Sequence, residues 1–128
     1  MIPKQTAASV ELPASTSVVW RVLTSVVEGD QGEVWHLEHT DVSLDVVAPG
    51  EAADGSARWE GLDFRVAVHL VPMATGGTLL LLTADPVAEA HGVRATAHAS
   101  ASHRLARHDL EKVALAVGRK IAELDDGP

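Results

Sequence analysis

The amino-acid sequence predicts an α+β domain in which a curved antiparallel sheet of about six strands wraps a long C-terminal helix, with a short helix after the first strand. Three observations carry this expectation. Ala106, Leu110, Val113, Val117, Ile121 and Leu124 recur at steps of three and four, drawing one apolar stripe along a helix of about five to six turns. Between Val42 and Ala84, apolar and polar residues alternate in runs separated by Gly and Pro turn signals, the pattern of half-buried antiparallel strands. A sheet with one apolar face and a helix with one apolar stripe must then cover each other, because a side chain such as Leu110 or Val66 forgoes roughly 1.5–3 kcal/mol when left in water.

Taken in chain order, Met1 to Thr6 reads as a frayed lead. Ala8, Val10 and Leu12 then alternate with Ala7, Ser9 and Glu11 in a first strand that Pro13 stops. Hydroxyl N-caps in Ala14-Ser15-Thr16-Ser17 precede Val18, Val19, Val22, Leu23 and Val26 at helical spacing, a helix of about two to three turns. Its β-branched residues have weak helix propensity, so packing must hold it. Glu28-Gly29-Asp30-Gln31-Gly32 is a turn or a helix end, and Val34 to Glu38 fits either a strand or an irregular segment. Val42, Leu44 and Val46 oppose Ser43, Asp45 and Val47 until Pro49-Gly50 and the Asp54-Gly55 turn signal intervene. A hairpin partner follows, with Ala57, Trp59 and Gly61 opposing Arg58 and Glu60.

Phe64, Val66, Val68 and Leu70 alternate with Arg65, Ala67 and His69; Pro72 ends that strand, and Gly76-Gly77 turns into Thr78 to Ala84. Beyond Asp85-Pro86, Val93, Ala95, Ala97 and Ala99 alternate with Arg94, Thr96, His98 and Ser100. The strict period of two favours a strand from Gly92 to Ala99 over the helix that alanine's propensity would support. The terminal helix follows, and Asp125-Asp126-Gly127-Pro128 closes the chain in polar and helix-breaking residues.

At 128 residues, the chain is expected to form a single domain over 1–128, with no internal repeat or low-complexity tract. The apolar fraction of 46% is enough for a core without disulfides. The absence of cysteine excludes thiolate metal sites, redox motifs and a Cys nucleophile, and a reducing cytoplasm is the expected compartment. No secretory pattern opens the sequence, and the longest aliphatic run, Leu79 to Leu82, is far below the roughly 20 residues that span a bilayer, so no membrane insertion is expected. A net charge of −8 repels polyphosphate backbones, which argues against nucleic acid as a partner.

The histidines are the first candidates for metal or acid–base chemistry. His36 and His39, three apart, fall on opposite faces of a strand, while His98, His103 and His108 step by five, about 140° apart on a helix. Neither spacing makes a chelating pair and no His-Glu-x-x-His motif occurs, so neither a metal nor a cofactor is expected and the histidines read as surface residues. Arg65 with His69, and Arg94 with His98, share a strand face opposite the apolar one and should point away from the core. No Gly-x-Ser-x-Gly elbow is present, and Gly76-Gly77 is too short for a phosphate loop. Leu79 to Leu82 fills both faces of a strand, which predicts either a homodimer through that strand or a covering loop such as Pro86 to His91.

Val10-Glu11-Leu12-Pro13-Ala14-Ser15 leading into Val18-Val19-Trp20-Arg21-Val22-Leu23-Thr24 resembles the opening of the START/Bet v 1-like superfamily, also called SRPBCC or polyketide cyclase/dehydrase-like. There a strand and a proline precede a helix carrying Val-Trp-x-x-Leu, and Trp35 stands near the second tryptophan of many members. The element order is similar over essentially the whole chain, the motif only over Pro13 to Leu23. The resemblance implies a helix-grip fold with a cavity between sheet and terminal helix for lipids, sterols, hormones or polyketide intermediates. The chain departs from the family in being shorter, in carrying Ser25 where Asp is common, and in having about six strands where seven are usual, departures that bear on the size of any cavity.

The expected function is non-covalent binding of a small hydrophobic or amphipathic molecule between sheet and helix. Trp35, Trp59, Phe64, Val66 and Val68 would line it from the sheet, and Leu110, Val113 and Val117 from the helix. Two alternatives stay open: an enzyme resembling the polyketide aromatase/cyclases, which needs a positioned acid or base, and a protein-interaction module without a ligand cavity. Charge makes one expectation testable at once. Protonating all seven histidines would bring the net charge close to about −1, so solubility should fall around pH 5, and a curve flat from about pH 5 to 8 would refute this.

Overall fold

A computed structural model describes residues 5–28 and 34–87, the helix backbone over 92–125, and the side chains of that helix over 101–124. The elements run β1 (Thr6–Leu12), α1 (Thr16–Val26), β2 (Val34–His36), β3 (Asp41–Ala48), β4 (Ala52–Trp59), β5 (Leu62–Pro72), β6 (Thr78–Pro86) and α2 (Gly92–Asp125). All six strands form one open sheet in the order β1-β6-β5-β4-β3-β2, every pair antiparallel. The expected α+β architecture is present, with α1 following the first strand and α2 lying along one face of the sheet. No helix among the described residues is long and apolar enough to cross a membrane.

Local chemistry explains the elements that position the site. Ser15 caps α1, its side-chain oxygen accepting from the Val18 N–H at 3.4 Å, and the helix buries Val19, Val22 and Leu23. Glu60 and Gly61, both at positive φ, form the two-residue turn that sets β4 against β5 with Trp59 opposite Leu62. From α2, Ala106, Leu110, Val113, Val117 and Ile121 are buried against β1, α1, β6 and β4, while Leu124 is 64% exposed. Their counterparts from the sheet include Leu12, Phe64, Val66, Val68, Leu80 and Leu82.

Several expectations are corrected. The segment Gly92 to Ala99 is not a strand but the first turns of α2. Its alternating apolar positions are mostly alanines, which gain little from sheet packing and favour helix, and both edges of β6 are already occupied by β1 and β5. Val34–His36, left open between strand and irregular chain, is the short edge strand β2. Asp54-Gly55 is not a turn. Pro49, Gly50 and Glu51 make it instead, with Gly50 at φ +79°, and Asp54-Gly55 lies inside β4. Gly55 is required there by close approach, since a Cβ at this position would meet the Ser43 carbonyl oxygen at 2.1 Å.

Opposite it, the pairing of β3 with β4 shifts between Leu44 and Val46, a bulge at Asp45. The bulge reverses the alternation, so Val47 packs on the core and Val46 is 57% exposed, the opposite of the simple period of two. On the outer face it brings Asp45 within 2.7 Å of Arg65, which also meets Asp54 at 2.9 Å. Arg65 and His69 point away from the core as expected; the side chains of Arg94 and His98, the turn at 29–32, residues 1–4 and the covering loop beyond Val87 lie outside the described residues. Leu79 to Leu82 is interior to the sheet with both edges paired, so it offers no free strand edge to a second copy. Leu80 and Leu82 are in the core, and Leu79 and Leu81 are half-buried on the outer face.

The crowding at Gly55 gives a measurable expectation. Gly55→Ala should cost roughly 2–3 kcal/mol in urea unfolding because the added methyl meets backbone that cannot swing aside. Gly50→Ala, where a Cβ has open space and only the positive φ is penalised, should cost about 1 kcal/mol. Equal effects would show that the β3–β4 approach is looser than described.

Candidate functional site

The residues expected to hold a ligand are all buried: Trp35, Trp59, Phe64, Val66, Val68, Leu110, Val113 and Val117. They close on one another. Trp35, Val66, Val68, Leu110 and Val113, together with Leu23, Val27 and Leu82, surround a cavity of only about 10 Å³, at or below what one water needs. Trp59, Phe64 and Val117 complete the same packed core. The small alanines at 53, 57 and 84 let α2 approach closely, so the space between sheet and helix is filled. The Trp35 Nε1 hydrogen has no acceptor among the described residues, which makes it the unpaired polar group of this interior.

The open volume lies at the flank. A groove of about 1040 Å³ runs between β1 and the side of α2. Its apolar surface comes from Ala8 and Val10 on the strand and from Ala114, Leu115, Gly118 and Ala122 on the helix. His108, Lys112 and Arg119 supply positive or protonatable groups along it and Glu111 one acid. Arg119 makes no ion pair among the described residues. Gly118 keeps the wall low, its missing side chain facing Leu12.

At the His108 end, the groove meets a polar cluster that spacing alone did not reveal. Asp109 is 1% exposed. It lies three positions from Ala106 and four from Val113, inside the apolar stripe, and a carboxylate on such a face must find donors. It finds three. The Oδ2 atom accepts the His39 backbone N–H and the Trp59 indole N–H, each at 2.9 Å, and Oδ1 accepts the His39 Nδ1–H at 2.6 Å. Next to it, Glu38 accepts from His108 Nε2 at 2.8 Å and from Lys112 Nζ at 3.0 Å. The apolar stripe interrupted by a single acid was the signal in the sequence; the histidine that answers it stands 70 positions away.

Two protonation states are set by these contacts. The hydrogen bond to Asp109 raises the His39 pKa above its ordinary value, with the charges of Asp109 and Glu38 acting in the same direction and partial desolvation and Lys112 opposing. Hydrogen bonds from Lys112 and His108 hold the Glu38 carboxyl below the usual range. Further along, Trp59 meets Phe64 edge-on at 5.3 Å, Phe64 meets His103 at 5.3 Å, and His103 Nδ1 lies 3.2 Å from the Thr6 hydroxyl. His36 pairs with Asp41 at 2.8 Å on the exposed side of the same loop.

No protein-family model matches the sequence, and no curated protein is similar to it at the level of sequence. Solved structures are similar over nearly the whole chain. The START superfamily protein from Mycobacterium smegmatis is 14% identical, covering 94% of this chain and 98% of that one, with a TM-score of 0.59. The chain has a START/Bet v 1-like fold. The Zhui aromatase/cyclase from Streptomyces sp. R1128 shares this SRPBCC architecture at 18% identity, 97% and 96% coverage and a TM-score of 0.63. XoxI from Bacillus cereus is 12% identical over 99% of this chain and 100% of its own, with a TM-score of 0.68.

Within this START-like domain, the sign of the His39 shift determines a pH dependence. Because the folded-state pKa is raised, the His39–Asp109 pairing stabilises the fold in full below the unfolded value of about 6.5, and that contribution is lost as pH rises through the folded-state value. In Asp109→Asn, the His39 titration followed by NMR should fall back toward about 6.5, and the decline in stability above that pH should flatten. An unchanged midpoint would show that Asp109 does not control the ring.

Proposed function

We propose that this protein binds a small amphipathic molecule, apolar along most of its length and anionic at one end, in the groove between β1 and α2. The observation that carries the reading is the distribution of space: about 1040 Å³ along the groove against about 10 Å³ in the interior, the former on the scale of small-molecule sites. Alanine, valine and leucine side chains supply the apolar contact, and Arg119, without an ion pair among the described residues, supplies a cation for the anionic end. Lys112 is answered by Glu38 and Glu111 by Arg107, so the cation left over along the groove for an anionic end is Arg119. The START-like fold, which the Streptomyces aromatase/cyclase shares, fits a role in handling small organic molecules.

A second reading is acid–base catalysis of the cyclase kind, and one observation favours it. A buried carboxylate holds His39 through Nδ1 and leaves Nε2 as the ring's working atom, the arrangement that orients a general base. It would act on a ligand whose polar end reaches His39.

Titration with the anionic naphthalene dye ANS tests the first reading, with native mass spectrometry of freshly purified protein alongside. One dye should bind per chain, and Leu115→Asp and Arg119→Glu should each weaken it about tenfold or more, a loss of about 1.4 kcal/mol. Leu115 is 59% exposed, so the fold tolerates the change. Affinity unchanged in both variants but altered in Val68→Ala would move the ligand to the interior and overturn the groove. For the second reading, wild type but not His39→Gln should dehydrate a β-polyketone thioester mimic; no dehydration by either sinks it.

A further inference from the structure

We infer that Glu38, His39 and His108 form a site for one divalent transition-metal ion of the zinc class, with Asp109 as the carboxylate behind His39. Donor atoms of Glu38, His39, His108 and Asp109 all lie within 4.8 Å of one another. Two come from the loop after β2 and two from the middle of α2, so only the folded chain brings them together. Metal-bound imidazoles characteristically donate their second ring N–H to a carboxylate, which fixes the tautomer and aims the ring. His39 already makes that contact through Nδ1, to an Asp109 that is itself pinned by the Trp59 indole and the His39 backbone. Its other ring atom, Nε2, is left for an ion.

Between His108 and Glu38 little adjustment is needed. Zinc bonds to nitrogen and oxygen of about 2.0–2.1 Å at a tetrahedral angle place two ligand atoms about 3.3 Å apart. His108 Nε2 and Glu38 Oε2 stand at 2.8 Å, so an opening of about 0.5 Å admits the ion where a proton now bridges them. Both side chains are exposed and can make that movement, and Lys112 keeps Glu38 in place through the opposite oxygen at 3.0 Å. The His39 and His108 ring centroids are 5.5 Å apart, near the roughly 5 Å that two imidazoles spanning one tetrahedral ion adopt. Two imidazoles and one carboxylate are borderline donors suited to zinc or cobalt, and with three protein ligands on an exposed face the fourth position goes to water. The site shares His108 with the head of the groove, but its assembly requires no ligand bound there.

Cobalt(II) titration of the metal-free full chain is the test, because tetrahedral cobalt absorbs visible light far more strongly than hydrated cobalt. Absorption should saturate at one ion per chain, be displaced by zinc, and be accompanied by a zinc-dependent rise in melting temperature. His108→Ala and Glu38→Gln should each weaken cobalt binding at least tenfold and remove the zinc shift. Both positions are on the surface, and circular dichroism checks that the variants fold. His69→Ala, on the outer face of the sheet, should bind as wild type does. Failure of wild type to bind cobalt saturably, or binding that His108→Ala and Glu38→Gln leave unchanged, overturns the site.

Discussion

Burial of the α2 stripe against the sheet fills the space between the two layers. Ala106, Leu110, Val113, Val117 and Ile121 share one buried core with Phe64, Val66, Val68, Leu80 and Leu82, and the small residues among them let the helix sit low. What is gained in apolar burial is lost in cavity. The usable volume is displaced to the side of the helix, where β1 ends the sheet and Gly118 and several alanines leave the wall shallow.

Asp109 is the exception within that seam, and its cost explains the loop around it. A carboxylate taken out of water must be matched by donors, and here they come from the Trp59 ring and from both the backbone and ring of His39. Satisfying one buried acid therefore fixes the loop between β2 and β3 onto α2. That same docking carries Glu38 to His108 and Lys112 and places a charged cluster at the head of the groove. Packing, electrostatics and the candidate chemistry are thus coupled through a single side chain.

The parts of the fold that were legible in the sequence are those set by near neighbours. The α2 stripe through Ile121, a hydroxyl cap within Ser15-Thr16-Ser17 and the hairpin joining Phe64–Leu70 to Thr78–Ala84 each follow from residues a few positions apart. Errors arose where a neighbouring strand decided. Alternation in β3 failed at Asp45 because a bulge is a property of a pair of strands, and Gly55 looked like a turn because its need for a small side chain comes from Ser43 across the sheet. The alanines from Gly92 to Ala99 satisfied a period of two, but β6 already had both its partners. Of the candidate site, the eight residues expected to line a ligand are buried, and whether they enclose space depends on how closely the helix approaches.

By itself, the sequence determined an α+β chain with a long amphipathic terminal helix, a capped first helix and an antiparallel sheet, because periodicity and capping act through neighbours along the backbone. Only the tertiary structure decided that the interior is full, that the open groove lies beside β1, and that His39 meets Asp109 and His108. Those outcomes depend on distances between residues as far apart in the chain as Ala8 and Ala122, fixed by helix-to-sheet separation and strand register rather than by any local pattern.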